Sequence, residues 1–181
     1  MWRETCARTM MKVDMGPPPE TPFRCTAQLR RLPNLAIASI ATTPNRLTRS
    51  RSLVADGNDD LLFVVPLEGH VEIRQSGREA DLAPGSGWLM SCENPSATTV
   101  KSFSRFVSLA IPAAVLSPMI GGIDANLMPA IPDRAEAIRL LMGYLACLDQ
   151  DIALSAPSAR HLVVSRARSG GAGGRRDARR H

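Results

Sequence analysis

From about Phe23 to Ile111 the chain is built of short apolar or alternating runs, each closed within a few residues by a turn signal. No other feature constrains the fold as strongly, because helices need a longer period and fewer interruptions. The runs are LAIASIA (35–41), LLFVVPL (61–67), VEIRQ (71–75), READLA (78–83), WLMSC (88–92), TTVKSF (98–103) and RFVSLAI (105–111). LLFVVPL is apolar throughout, as a strand buried on both faces would be. In VEIRQ, Val71 and Ile73 alternate with Glu72 and Arg74, so one face is buried and the other wet. Ser76-Gly77 predicts a hairpin into READLA, and Pro84-Gly85-Ser86-Gly87 a second tight turn. Seven strands at this spacing predict a sandwich or barrel.

The flanks read differently. Residues 1–15 predict a short helix stopped by Gly16 and Pro17-Pro18-Pro19, so 1–22 form an N-terminal arm. After the barrel (23–111), Pro112 predicts a short helix over PAAVLSPMI. Asp133 and Glu136 have the spacing of a capping box, and Ile138, Leu141, Met142, Leu145 and Leu148 follow as one apolar stripe. That stripe either packs on the barrel or forms a dimer seam. A last helix is predicted from Ser155 through SARHLVV to residue 164. The expected fold class is therefore α+β, mainly β: a cupin-like antiparallel β-barrel or sandwich followed by C-terminal helices, with 112–164 the helical segment.

Residues 165–181 hold six Arg and one Asp, a net of +5, which equals the net charge of the whole chain. Residues 1–164 thus carry 22 − 6 = 16 basic and 17 − 1 = 16 acidic side chains and are neutral. The basic signal belongs to the Arg/Gly-rich tail alone, which is expected to be disordered. The tail has no aromatic residue to stack on bases, so specific nucleic-acid binding is not expected from it.

Chemistry is sparse. Cys6, Cys25, Cys92 and Cys147 are far apart with no CxxC pair, which predicts free thiols. His70, His161 and His181 are dispersed, and no H-x-H accompanies the turn glycines Gly69, Gly77 and Gly85, so no metal or other cofactor is expected. No nucleophile elbow or phosphate loop occurs, and no catalytic residue is assigned. No stretch approaches the ~18 apolar residues of a membrane span, and the N-terminus lacks a signal-peptide core; a cytoplasmic chain is expected. Phe63 and Trp88 lie on predicted core strands, and a barrel interior is where a small ligand would contact them.

The run from Leu32 to Pro95 resembles the N-terminal ligand-binding domain of AraC-type transcriptional regulators, the AraC-binding-domain-2 group. Its marks are Asp59-Asp60-Leu61-Leu62-Phe63, Gly69, the triplet Gly77-Arg78-Glu79, Pro84-Gly85 and Pro95. WRETCAR (2–8) and FVSLAIPAAVL (106–116) match positions before and after the barrel, so the likeness spans residues 2–164. Ser86 stands where the family usually has an acidic residue. The resemblance implies a sensory barrel for an unknown small-molecule effector, with Phe63 and Trp88 as interior contacts. It also implies helices that dimerise, as a homodimer or as a heterodimer with a full-length relative. The family's helix-turn-helix domain does not follow residue 164, so the expectation is a truncated regulator whose tail is a frameshift product. The competing expectations are a stand-alone cupin-like enzyme of the isomerase type and nucleic-acid binding through the basic tail.

Overall fold

The computed structural model describes residues 10–16, 22–120, 131, 135–152 and 160–166. Among the described residues eleven strands are formed: β1 (Asp14–Gly16), β2 (Phe23–Leu32), β3 (Leu35–Thr42), β4 (Asn45–Arg49), β5 (Leu61–Glu68), β6 (Val71–Gln75), β7 (Arg78–Leu82), β8 (Trp88–Ser91), β9 (Ser96–Val100), β10 (Ser104–Ile111) and β11 (Arg160–Arg166). The helices are α1 (Arg51–Val54), α2 (Ala113–Leu116), a 3-10 turn at Ser117–Met119, and α3 (Glu136–Ile152).

The strands make two antiparallel sheets. One has five strands in the order β1-β4-β9-β6-β7, the other six in the order β11-β2-β3-β10-β5-β8. Both turn an apolar face inward. Val71, Ile73, Leu82 and Val100 of the first sheet meet Leu62, Val64, Met90 and Phe106 of the second in one buried cluster. On β6 the alternation read from VEIRQ is observed: Val71, Ile73 and Gln75 are buried and Arg74 is exposed. The β6–β7 turn places Ser76 at φ 51° and Gly77 at φ 75°, the two left-handed residues of a type I′ hairpin.

Two polar devices join the sheets. The Gln75 amide reaches from β6 to β8, where Nε2 donates to the Ser91 carbonyl (2.8 Å) and Oε1 accepts from the Ser91 N–H (2.9 Å). It occupies the place of a neighbouring strand. At the end of β4, the fully buried Arg49 donates from Nε to the Cys92 carbonyl (2.7 Å) and from Nη1 to the Lys12 carbonyl (3.0 Å), and it pairs through Nη2 with Asp56 Oδ1 (2.8 Å). Asp56 also accepts from the Asn58 N–H (3.1 Å), and Asn58 Nδ2 donates to the Met10 carbonyl (3.0 Å). One arginine thereby fixes the 50–60 loop, strand β8 and the N-terminal arm.

Three expectations change. Residues 14–16 are not the end of a helix: they pair with Thr48, Leu47 and Arg46 of β4 as strand β1, and residues 1–9 lie outside the described part. The strand expected at 98–103 runs over 96–100 instead, and Phe103 lies in the turn before β10, half exposed. Residues 160–164 are strand rather than helix, since β11 pairs antiparallel with β2 from Arg160↔Leu29 to Arg166↔Phe23. The long edge of β2 supplies a row of unpaired backbone groups, and the β-branched Val163 and Val164 suit a strand beside it. The proposed cap residue Asp133, the segment 153–159 and the tail beyond residue 166 fall outside the described residues.

Candidate functional site

The six-stranded sheet is covered on both faces, and this decides where the expected site residues lie. β5 alternates between two cores. Leu62 and Val64 face the five-stranded sheet, whereas Phe63 and Val65 join a second cluster with Val107, Leu109, Ile138 and Leu145. Phe63 is therefore not a barrel-interior residue; it lies between the sheet and α3. Its neighbours in register are Leu89 and Leu109, whereas Trp88 lies opposite Val64. Phe63 and Trp88 point to opposite faces of one sheet and do not form a common pocket.

Trp88 does face the interior. It is 4% exposed, its ring lies 5.7 Å from the Arg78 guanidinium carbon, and its Nε1 finds no hydrogen-bond partner among the described residues. An unpaired indole N–H in a packed core costs about 1–3 kcal/mol. Around it the interior is filled by apolar side chains such as Met90, Phe106 and Ile73.

Helix α3 forms the second layer. Ile138 and Leu145 are buried against the sheet, and Leu141 and Met142 pack beside them half-buried, so this part of the stripe packs on the barrel. The Leu148 side chain lies outside the described part. Before the helix, Ile131 exchanges two backbone hydrogen bonds with Gly87, at 2.9 and 2.7 Å. Gly87 permits close approach here: a Cβ would lie 2.5 Å from Phe63 Cζ and 3.0 Å from Ile138 Cδ1. Gly87→Ala is expected to cost about 1–3 kcal/mol by displacing the Phe63 ring and the start of α3. A urea titration measures the loss, and hydrogen exchange should show the α3 amides losing protection before those of β6. Equal loss in both would place the damage elsewhere.

Beyond the apolar contact, sheet and helix part into a groove of about 330 Å³. Cross-strand register orders its floor into rows about 7 Å apart. Arg30 lies beside Ile37, Gln28 beside Ser39 and Val107, and Thr26 beside Ala41 and Arg105. Met142, Leu145 and Ala146 of α3 form the opposite wall. Arg30 is 6% exposed and Arg105 lies open to solvent. No carboxylate lines the groove among the described residues. Sequence reading missed these groups. The alternation in FRCTAQLRRL already puts Thr26, Gln28 and Arg30 on one face, but not under a helix.

The remaining groups are chemically quiet. Burial pushes the Cys25 thiol up to about 11 and the Cys92 thiol up to about 12, so neither supplies a thiolate near neutral pH. His70 is exposed on the outer surface, 3.6 Å from an equally exposed Asp81, as its shared parity with Glu72 and Arg74 suggests. Among the described residues no three His, Cys, Asp or Glu side chains gather as a metal site. No helix among them is long and apolar enough to cross a membrane.

Residues 2–169 match the family model of the AraC-binding-like domain. The transcriptional activator NphR of Rhodococcus sp is 28% identical over 123 residues, which cover 67% of this chain and 37% of NphR. Among solved structures, the AraC-like transcriptional activator CuxR superposes with a TM-score of 0.70 at 17% identity, over 84% of this chain and 56% of CuxR. This chain thus spans well under two thirds of either activator's length.

Proposed function

The chain belongs to the AraC-binding-like domain family, and on that premise we propose that it is the effector-sensing and dimerising part of an AraC-type transcriptional regulator, with no catalytic step of its own. The observation that carries this reading is the two-sidedness of α3. One face closes a ligand-sized groove, while the other carries Leu140 (68% exposed), Tyr144 (61%) and the exposed Cys147 at helical spacing. A monomeric soluble domain gains nothing by exposing such a row, and a second copy would cover it. The dimer seam is thus the face opposite Ile138 and Leu145, and the same helix feels both effector and partner. An intact relative with a similar stripe would be an equally good partner, giving a heterodimer. Trp88, with its unpaired Nε1, is the interior residue retained as an effector contact.

The test is sedimentation equilibrium at micromolar concentration. The native chain is expected to dimerise, and Leu140→Glu/Tyr144→Glu to be monomeric with a Tm within about 2 °C of native, because exposed sites contribute little to stability. A native chain that stays monomeric, or a double variant that still associates, overturns this dimer assignment.

A further inference from the structure

We propose that the groove between the six-stranded sheet and α3 binds an uncharged ligand, a carboxamide carried on an apolar body. This inference rests on the reading of the chain as a ligand-binding domain. It adds a place of contact on the face of the sheet opposite Trp88, and the chemical class that fits there.

The free polar groups of the groove are neutral. Gln28 and Ser39 lie side by side across β2 and β3, both half-buried, and among the described residues neither side chain has a hydrogen-bond partner. The molecule's buried glutamine is used differently: Gln75 gives its amide N–H to the Ser91 carbonyl and takes the Ser91 N–H on its oxygen. A glutamine amide carries donor and acceptor side by side, and a second carboxamide meets both at once, whereas an alcohol meets one. The Ser39 hydroxyl can serve whichever ligand atom is left over. Charge works against an ion. Arg30 has a partner of its own, and Arg105 lies open to water, which screens its attraction. An anion would therefore give up its hydration without gaining a dry counter-charge. A cation would meet two arginines and, among the described residues, no carboxylate. Ile37, Val107, Met142 and Leu145 form the apolar wall that takes the body of the ligand. At about 330 Å³ the space sits at the lower end of small-molecule sites. A ligand seated here touches strand and helix together, so its binding fixes the position of α3.

Calorimetry on the full chain provides the test, with benzamide and hexanamide as probes. Their charged counterparts are benzoate and hexanoate on one side, benzylamine and hexylamine on the other. At least one amide is expected to bind with Kd below about 1 mM, and about ten-fold or more tighter than either ion of the same body. Gln28→Leu keeps the bulk of the side chain and removes its donor and acceptor, so it should weaken amide binding about 10- to 100-fold. Ser39→Ala should weaken it about five-fold. Arg74→Gln, on the exposed outer face of the five-stranded sheet, should leave it unchanged. An unchanged Tm verifies folding, and Ser39→Ala, the smaller change, decides the matter should Gln28→Leu unfold. Absence of amide binding, an ion bound as tightly as its amide, or amide binding that survives both groove substitutions overturns the groove assignment. The two readings fail separately. A chain that dimerises as expected yet binds neither amide loses only the groove site. Amide binding in the groove with no effect on self-association removes only the sensory coupling.

Discussion

Replacing Arg49 with Leu is expected to lower the stability of the domain by about 3–5 kcal/mol and its Tm by on the order of 10 °C. Arg49 is fully buried and its Asp56 partner is 9% exposed, so the carboxylate left behind has little access to water. The carbonyls of Lys12 and Cys92 lose their donor at the same time. The double variant Arg49→Leu/Asp56→Leu removes both charges and is expected to recover part of the loss; the difference is the cost of the orphaned carboxylate. The same pair sets the acid response. The hydrogen bond from Arg49 holds the Asp56 carboxyl below its ordinary value of 3.8. The unfolded chain therefore takes up a proton at higher pH than the native one. The stabilisation is complete above about pH 5 and shrinks as pH falls through 4 toward the depressed value. Urea midpoints measured from pH 7 down to pH 3 should fall less steeply in the double variant than in the native protein. Parallel slopes, or a loss below 1 kcal/mol in Arg49→Leu, would show that the pair behaves as a surface contact.

Ile73→Ala is expected to cost about 2–5 kcal/mol, and Ile73→Val only about 0.5–1.5 kcal/mol. Ile73 is fully buried at the centre of β6, between Ala80 on β7 and Thr98 on β9, and it faces the opposite sheet. Its short neighbours cannot reach across a lost methyl and ethyl group, so the void persists. Equilibrium urea unfolding checks both values. A cost for Ile73→Ala near that of Ile73→Val would mean that the interior collapses around the gap, and a barrel that compliant has room to admit a ligand.

The strands were legible where burial is one-sided. VEIRQ declares itself by alternation and by the turn beside it. LLFVVP does not alternate, because both of its faces are buried, and so nothing in it tells Phe63 from Val64 as interior or exterior. That ambiguity put Phe63 beside Trp88 when the sheet separates them. The helical stripe Ile138–Leu145 was readable as apolar, but the choice between barrel packing and dimer seam depends on which face meets the sheet. SARHLVV is short enough to suit either period, and only the free edge of β2 decides it as strand. The groove was the least legible feature. Arg30 and Gln28 on β2, Ser39 on β3 and Arg105 on β10 come together through three-strand register, which no local window contains.

The position of the groove gives α3 its part in the fold. Ile138 and Leu145 hold the helix to the sheet along its apolar face, and the groove opens where Met142 and Ala146 pass over the polar rows. A helix held by a few contacts and bordered by a space moves at lower cost than a strand within either sheet. Occupancy of that space is a direct way to restrict it.

The side chain of Gln75 has a consequence for the time course of the whole domain. The Ser91 N–H has an amide oxygen from the other sheet as its partner, where most strand amides have a neighbouring backbone. Fraying of β8 alone leaves that clasp in reach, whereas separation of the two sheets breaks it at once. The Ser91 proton is therefore a clock for barrel breathing, and its exchange rate with deuterium counts how often the two halves of the sandwich part.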